Sequence, residues 1–291
     1  MPGRPGALIL ATLLAMTAAP IGAAEFVGAW EWEAEGTDFG GFSGLELSAD
    51  GASGHVLNDS ARLLGVTLDR DAAGAVTSVT ITSDDRLHDP RGQNLMGDYA
   101  DSEGLAVDPQ GRLTVSFENW PRVWVYDTPD GPATELPFYP GFMSFRTNGG
   151  LEALAMDRDG ALYTLPERLA GDLPSPLLRL RGGEWEIVGI PEIRHGFRPV
   201  GADFDDRGRL YILERKFQWI GFRSRVRRLT LDDQGIAREE VLLTSRLRQH
   251  DNLEGIAIWR DDRDRLRATM VSDDNFLPVQ RTEFVDYILP D

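Results

Sequence analysis

Apolar residues in this chain fall in short runs that break at Gly, Asp or Asn, and they show no three-to-four-residue rhythm. Leu105–Val107, Leu113–Phe117, Leu154–Met156, Leu162–Leu165, Leu210–Leu213, Val226–Leu231 and Arg267–Val271 are such runs. Short apolar runs punctuated by turn residues read as strands, so the expected class is all-β. The runs also repeat. Glu103-Gly-Leu-Ala-Val-Asp-Pro-Gln-Gly111 returns as Glu152-Ala-Leu-Ala-Met-Asp-Arg-Asp-Gly160 and as Glu254-Gly-Ile-Ala-Ile-Trp-Arg-Asp-Asp262. Weaker copies start at Ser43 and Val200. The copies begin at 43, 103, 152, 200 and 254, a period near 50 residues, which is the signature of a propeller blade.

The spacing also predicts how the ring closes. The last copy has only 38 residues, and the 18 residues Glu25–Phe42 ahead of the first copy bring it to 56. An N-terminal strand within Phe26–Ala34 is therefore expected to complete the final blade. Five blades account for the length, and a sixth would have to hide in the long first interval. Asp84–Ala100 lacks periodicity and reads as a long loop.

Residues 1–24 have the layout of a secretory signal peptide. Arg4 is followed by the apolar run Ala7–Met16 and the small-residue site Gly22-Ala-Ala24. The expected mature domain is 25–291, periplasmic or secreted, with no further run long enough to span a membrane. Without any cysteine there is no disulfide, no thiolate metal site and no lipidated cleavage point. A formal charge of −17 argues against nucleic-acid partners. A small-molecule substrate and a monomer are the expectations.

Charge gains meaning once it is placed on the repeats. Strand A of each blade lines the channel, and strand B returns antiparallel, so the start of A and the end of B share one edge. The starts carry Ser43, Glu103, Glu152, Val200 and Glu254; the ends carry Asp59, Glu118, Glu167, Glu214 and Asp273-Asp274-Asn275. About eight carboxylates are thereby expected at one channel mouth. They cannot all ionise unless a cation or Arg neutralises them. Ca²⁺ suits such a set, because it takes 6–8 oxygen ligands from carboxylates and amides. The expected metal ligands are Glu103, Glu152, Glu254, Asp59, Glu118, Asp273, Asp274 and Asn275. Glu103, Glu152, Glu254, Glu214 and His250 are the catalytic candidates, with Arg168 and Arg215 binding substrate. The turn acids Asp108, Asp157 and Asp205 lie at the other end of strand A and are expected to cap hairpins. Nucleophile-elbow, zinc-protease, dinucleotide and P-loop motifs are missing, and no histidine is placed to activate Ser102.

Asp101-Ser-Glu-Gly-Leu-Ala106, Leu151-Glu-Ala-Leu-Ala155, Glu214-Arg215, Asn252-Leu-Glu-Gly-Ile-Ala257 and Ser272-Asp-Asp-Asn-Phe276 together resemble the esterase-like domain of the phytase-like family. The resemblance spans roughly residues 40–290 and implies an exported β-propeller that hydrolyses phosphate or other esters. Ser43 and Val200 depart from it by lacking the strand-A Glu. The leading expectation is a metal-dependent phosphoesterase. Alternatives are a calcium-dependent lactonase similar to the gluconolactonases and a non-catalytic binding propeller of the cell envelope.

Overall fold

A computed structural model describes residues 23–34, 39–145, 149–169, 173–192 and 195–291. The signal segment expected at 1–24 lies outside the described residues up to Gly22. Twenty strands form five antiparallel four-stranded sheets. Blade one holds β2 (Phe42–Leu47), β3 (Ser53–Asn58), β4 (Arg62–Arg70) and β5 (Val76–Arg86). Blade two holds β6 (Ser102–Val107), β7 (Leu113–Phe117), β8 (Arg122–Tyr126) and the two-residue β9 (Thr134–Glu135). Blade three holds β10 (Leu151–Met156), β11 (Leu162–Pro166), β12 (Leu177–Arg181) and β13 (Glu184–Gly189). Blade four holds β14 (Arg198–Phe204), β15 (Leu210–Phe217), β16 (Phe222–Asp232) and β17 (Gly235–Thr244). In blade five, β18 (Asn252–Arg260), β19 (Leu266–Asp273) and β20 (Glu283–Ile288) are completed by β1 (Glu25–Glu31), which pairs with β20 from Glu25↔Ile288 to Glu31↔Glu283.

No sixth blade exists among the described residues. The long first interval is taken up by the eleven-residue β5 and by the connection from Leu87 to Asp101, which carries a 3-10 turn at Gly97–Tyr99. That turn and a second at Pro140–Ser144 are the only helical segments described. None is long or apolar enough to cross a membrane.

Burial explains why the ring holds without covalent links. The apolar core is divided into five clusters, and each lies between two neighbouring blades. Leu57, Leu63 and Trp124 join blades one and two, while Leu154 and Leu178 meet Ala106 and Val123 between two and three. Tyr163 and Ile212 sit between three and four, Val226 and Met270 between four and five, and Trp32, Leu64 and Phe284 between five and one. Every sheet thus buries both faces against neighbours, the condition for apolar burial to favour a closed ring. The A–B turns behave as expected. Asp108, Asp157 and Asp205 each accept two backbone N–H groups across their turn through Oδ1, at 2.8–2.9 Å.

Inner strands repeat one irregularity. In each A–B pair the register slips just after the strand enters: between Phe42 and Gly44, Ser102 and Leu105, Leu151 and Ala153, Pro199 and Gly201, and Leu253 and Gly255. Ser43, Glu103 (with Gly104), Glu152, Val200 and Glu254 are the residues left over. A β-bulge re-aims the extra side chain. Here it lifts the strand-A glutamates out of the ladder and toward the axis. The small residue that follows lets the next blade approach. A Cβ on Gly104 would stand 2.5 Å from Leu154 Cβ, and one on Gly201 would stand 2.3 Å from the Glu254 carbonyl oxygen. Below the bulges the channel narrows to a space of about 10 Å³, so the mouth is a pit with a floor.

Candidate functional site: an acidic pit at the channel mouth

The pit has a volume of about 370 Å³. Its walls carry Asp59, Asp101, Glu103, Glu118, Glu152, Glu167, Glu254 and Asp273, together with Arg168, Arg215, Gly41 and Asn275. Eight carboxylates therefore converge, as the strand-end argument anticipates. Seven come from two repeated places: the bulge of strand A and the residue that follows the strand-B partner of the bulge's N-terminal neighbour. In blades one to five that second place holds Asp59, Glu118, Glu167, Arg215 and Asp273.

Three expected residues do not line the pit. Glu214 pairs with Pro199, one step short of the rim position, and adjacent strand residues face opposite ways. It is buried inside blade four between Arg225 Nε at 2.5 Å and Arg227 Nη2 at 2.8 Å. Asp274 caps its own loop. Its Oδ1 accepts Gly41 N at 3.1 Å and Phe276 N at 3.0 Å, and its Oδ2 accepts Thr282 Oγ1 at 3.1 Å. His250 lies under the neighbouring groove, with Nε2 2.7 Å from Tyr287 Oη, so it cannot exchange protons in the pit. Burial, helped by Arg281, lowers its pKa to about 4.

Asp101 is the ligand candidate that strand reasoning missed, because it precedes β6 instead of ending a strand. Its oxygens, with those of Glu103 and Glu118, form a set lying within 4.8 Å of one another. Its backbone bridges to Ser60, beside Asp59, which brings it to the rim. Three neighbours hold two members of this trio. Glu118 Oε1 accepts the backbone amides of Gly149 and Gly150, and Asp101 accepts Asn119 Nδ2.

Electrostatics in the pit are set by desolvation first and mutual repulsion second. Burial raises the pKa of Glu103 well above the usual range, and Glu152, Glu254, Glu118 and Asp101 push it further. Glu152 is likewise raised by burial and by Glu167 and Glu118, with Arg215 opposing. Glu254 is raised less, because Arg215 and Asn252 favour its charge. Asp101 is pushed up to about 7 and Asp273 to about 8, each chiefly by burial. Arg215 is the internal counter-charge. Its Nη1 donates to Asn252 Oδ1 at 2.8 Å and to Glu254, and Nη2 lies 3.8 Å from Glu167. Arg168 stands half-exposed at the rim, with Nε 3.3 Å from Glu167.

Family comparison agrees with the repeat pattern. The model of the phytase-like family, described as esterase-like activity of phytase, matches residues 37–276. The chain belongs to that family. A search of the curated proteins finds none that matches. Solved structures with similar folds include the PQQ-bound aldose sugar dehydrogenase of Streptomyces coelicolor, at 12% identity and a TM-score of 0.48, covering 90% of this chain and 98% of that one. They also include regucalcin, a calcium-binding protein of Agrobacterium tumefaciens, at 12% identity and a TM-score of 0.47, covering 91% and 93%. A gluconolactonase of Xanthomonas campestris follows at 13% identity and a TM-score of 0.41, covering 86% of each chain. At these distances no residue role passes from them to the phytase-like chain.

The donor set fits a hard divalent cation. Eight carboxylates and an amide side chain in one pit match the oxygen ligands that Ca²⁺ prefers. Unit charges 5 Å apart repel by about 3 kcal/mol at an effective dielectric constant near 20, so full ionisation here requires an added positive charge.

Proposed function

We propose that this phytase-like propeller is an exported, cation-dependent ester hydrolase working in the acidic pit. The observation that carries the reading is the convergence of eight carboxylates, several raised toward neutrality, with two guanidinium groups above a closed floor. Asp101, Glu103 and Glu118 would hold the cation, with Glu254 and Asp273 opposite them. When bound, Ca²⁺ supplies Lewis acidity toward the carbonyl or phosphoryl oxygen. Glu152, whose pKa burial raises well above the usual carboxylate range, would take the proton from the attacking water. Arg215 keeps Glu254 and Asn252 in place, and Arg168 at the rim meets the incoming ester.

Charge decides which ester fits. Eight acids against two arginines leave the ionised pit at −6, and one divalent cation still leaves −4. An uncharged ester, including a cyclic one, enters such a pit more readily than a phosphomonoester does. Phosphate esters become substrates only if a second cation, or protons on the raised carboxylates, inverts the local sign. The test is a panel of neutral aryl esters, lactones, phosphodiesters and phosphomonoesters assayed with Ca²⁺ and with chelator. Hydrolysis that stops on chelation and in Glu103→Gln supports the reading. Hydrolysis indifferent to chelation removes it, and a cation-loaded protein inert toward the whole panel leaves a binding propeller.

A further inference from the structure

Beside the pit, the strand-B to strand-C loops of blades four and five enclose a second cavity, of about 660 Å³. Its lining mixes apolar and polar side chains, where that of the pit is almost wholly polar. Phe217, Trp219, Ile220, Leu277 and Val279 line it, and they are 62%, 96%, 65%, 50% and 86% exposed. Large apolar side chains left this bare on a propeller loop are the informative exception to burial. They belong to a wider bias. Among the described residues, no exposed large apolar side chain lies on an A–B turn of the far face.

One charge in this cavity is uncompensated. Arg281 is tied to Asp251 at 3.9 Å and Glu283 at 3.6 Å. Arg248 also lines the wall, yet no hydrogen bond or ion pair joins its guanidinium to another described residue. Its stem is seated on purpose-fitted backbone. Gly221 has φ +156°, and a Cβ there would stand 2.5 Å from Arg248 Cγ. The ring of His250 forms part of the same wall; it is 4% exposed and its Nδ1 has no partner. A pocket of drug-like size, with an apolar part and a polar part side by side, is what an amphiphilic ligand requires. The sign of the free group selects an anion.

We propose that this groove is a binding site for a soluble amphiphilic anion, with a hydrocarbon chain or ring against Trp219, Ile220 and Leu277 and a carboxylate or phosphate on Arg248. The groove adjoins the pit along the chain. Asp251 lines the groove, while the next residue, Asn252, holds Arg215 in the pit.

Calorimetric titration of the mature protein with decyl phosphate below its micelle threshold tests this, in chelator as well as in Ca²⁺. Saturable binding is expected in both, at least tenfold tighter than for decanol or inorganic phosphate. Arg248→Gln should weaken it about tenfold, and Trp219→Ala and Val279→Asp, on opposite walls, should each weaken it. Equal affinity for inorganic phosphate, dependence on Ca²⁺, or indifference to Arg248→Gln overturns the site. So does binding seen only with vesicles containing phosphatidic acid, which would make the face a lipid-surface contact. The three substituted side chains are exposed or near-exposed, and an unchanged melting temperature verifies that each variant is folded.

Discussion

Glu214 and Arg215 are neighbours on β15 and serve opposite ends of the molecule's electrostatics. Glu214 is locked inside blade four between Arg225 and Arg227, whereas Arg215 enters the pit and holds Glu254. Removing one partner of a buried ion pair costs about 3–5 kcal/mol. Glu214→Ala is therefore expected to lower the melting temperature sharply while leaving cation affinity unchanged. A stable variant that has lost its cation would place Glu214 in the pit after all.

Arg215 competes with any cation for the same carboxylates. Replacing it with Gln removes one positive charge from the pit and should tighten Ca²⁺ binding roughly tenfold, about 1.4 kcal/mol. The same change should lower ester turnover, because Glu254 and Asn252 lose the group that orients them. Calorimetry and a kinetic assay on one preparation separate the two effects.

Glu103→Gln and Asp101→Asn each keep the shape of the pit and delete one candidate ligand charge. Each should weaken Ca²⁺ binding by tenfold or more. A matched change outside the pit, Asp274→Asn, should leave it untouched. Equal losses in all three variants would point to a general charge effect instead of a coordination set.

Stability without added cation should fall as pH rises. Asp101 and Asp273 have folded-state pKa values near 7 and 8, against about 3.9 in an unfolded chain. The folded state then binds more protons than the unfolded one between those values, so the contribution of these two groups declines from about pH 4 and is gone above about pH 8. Melting of the chelated protein should move down between pH 5 and pH 8, and Ca²⁺ should restore more at pH 8 than at pH 5. A flat or rising profile contradicts the burial of these groups.

Gly104→Ala tests the tight inner ring. The new Cβ would meet Leu154 Cβ at 2.5 Å, and overpacking of this kind costs about 1–3 kcal/mol. Thermal melting should show that loss, with a weaker cation site as the Glu103 and Glu152 bulges are pushed apart.

Much of this was legible in the sequence, and the failures concern which way a side chain points. Period and length give about five blades, with a sixth left open, and closure by the first strand, because each repeat is a unit that must bury both faces. The repeated Glu of Glu-Gly-Leu-Ala predicts the inner acids, since its place in the repeat is constant. Glu214 was misread through a one-residue error: the interval from strand-A start to strand-B end is 15 in blades two and three, and 15 from Val200 arrives at Arg215. In strands one residue is the difference between inside and outside. The bulges were not legible, because a bulge leaves no residue signature beyond the small residue after it. Asp274 and His250 were placed by adjacency, which says nothing about direction.

Pairing of β1 with β20 makes the two chain ends a clasp. With no cysteine to hold the circle, blade five can form only after the whole polypeptide is present, and its contacts are the most distant in sequence. Distant pairing is slow to form. Release of that single seven-residue ribbon would uncover the β20 edge and the Trp32–Phe284 contact together, so trimming by a protease at the start of the chain should undo the circle faster than a cut in any surface turn.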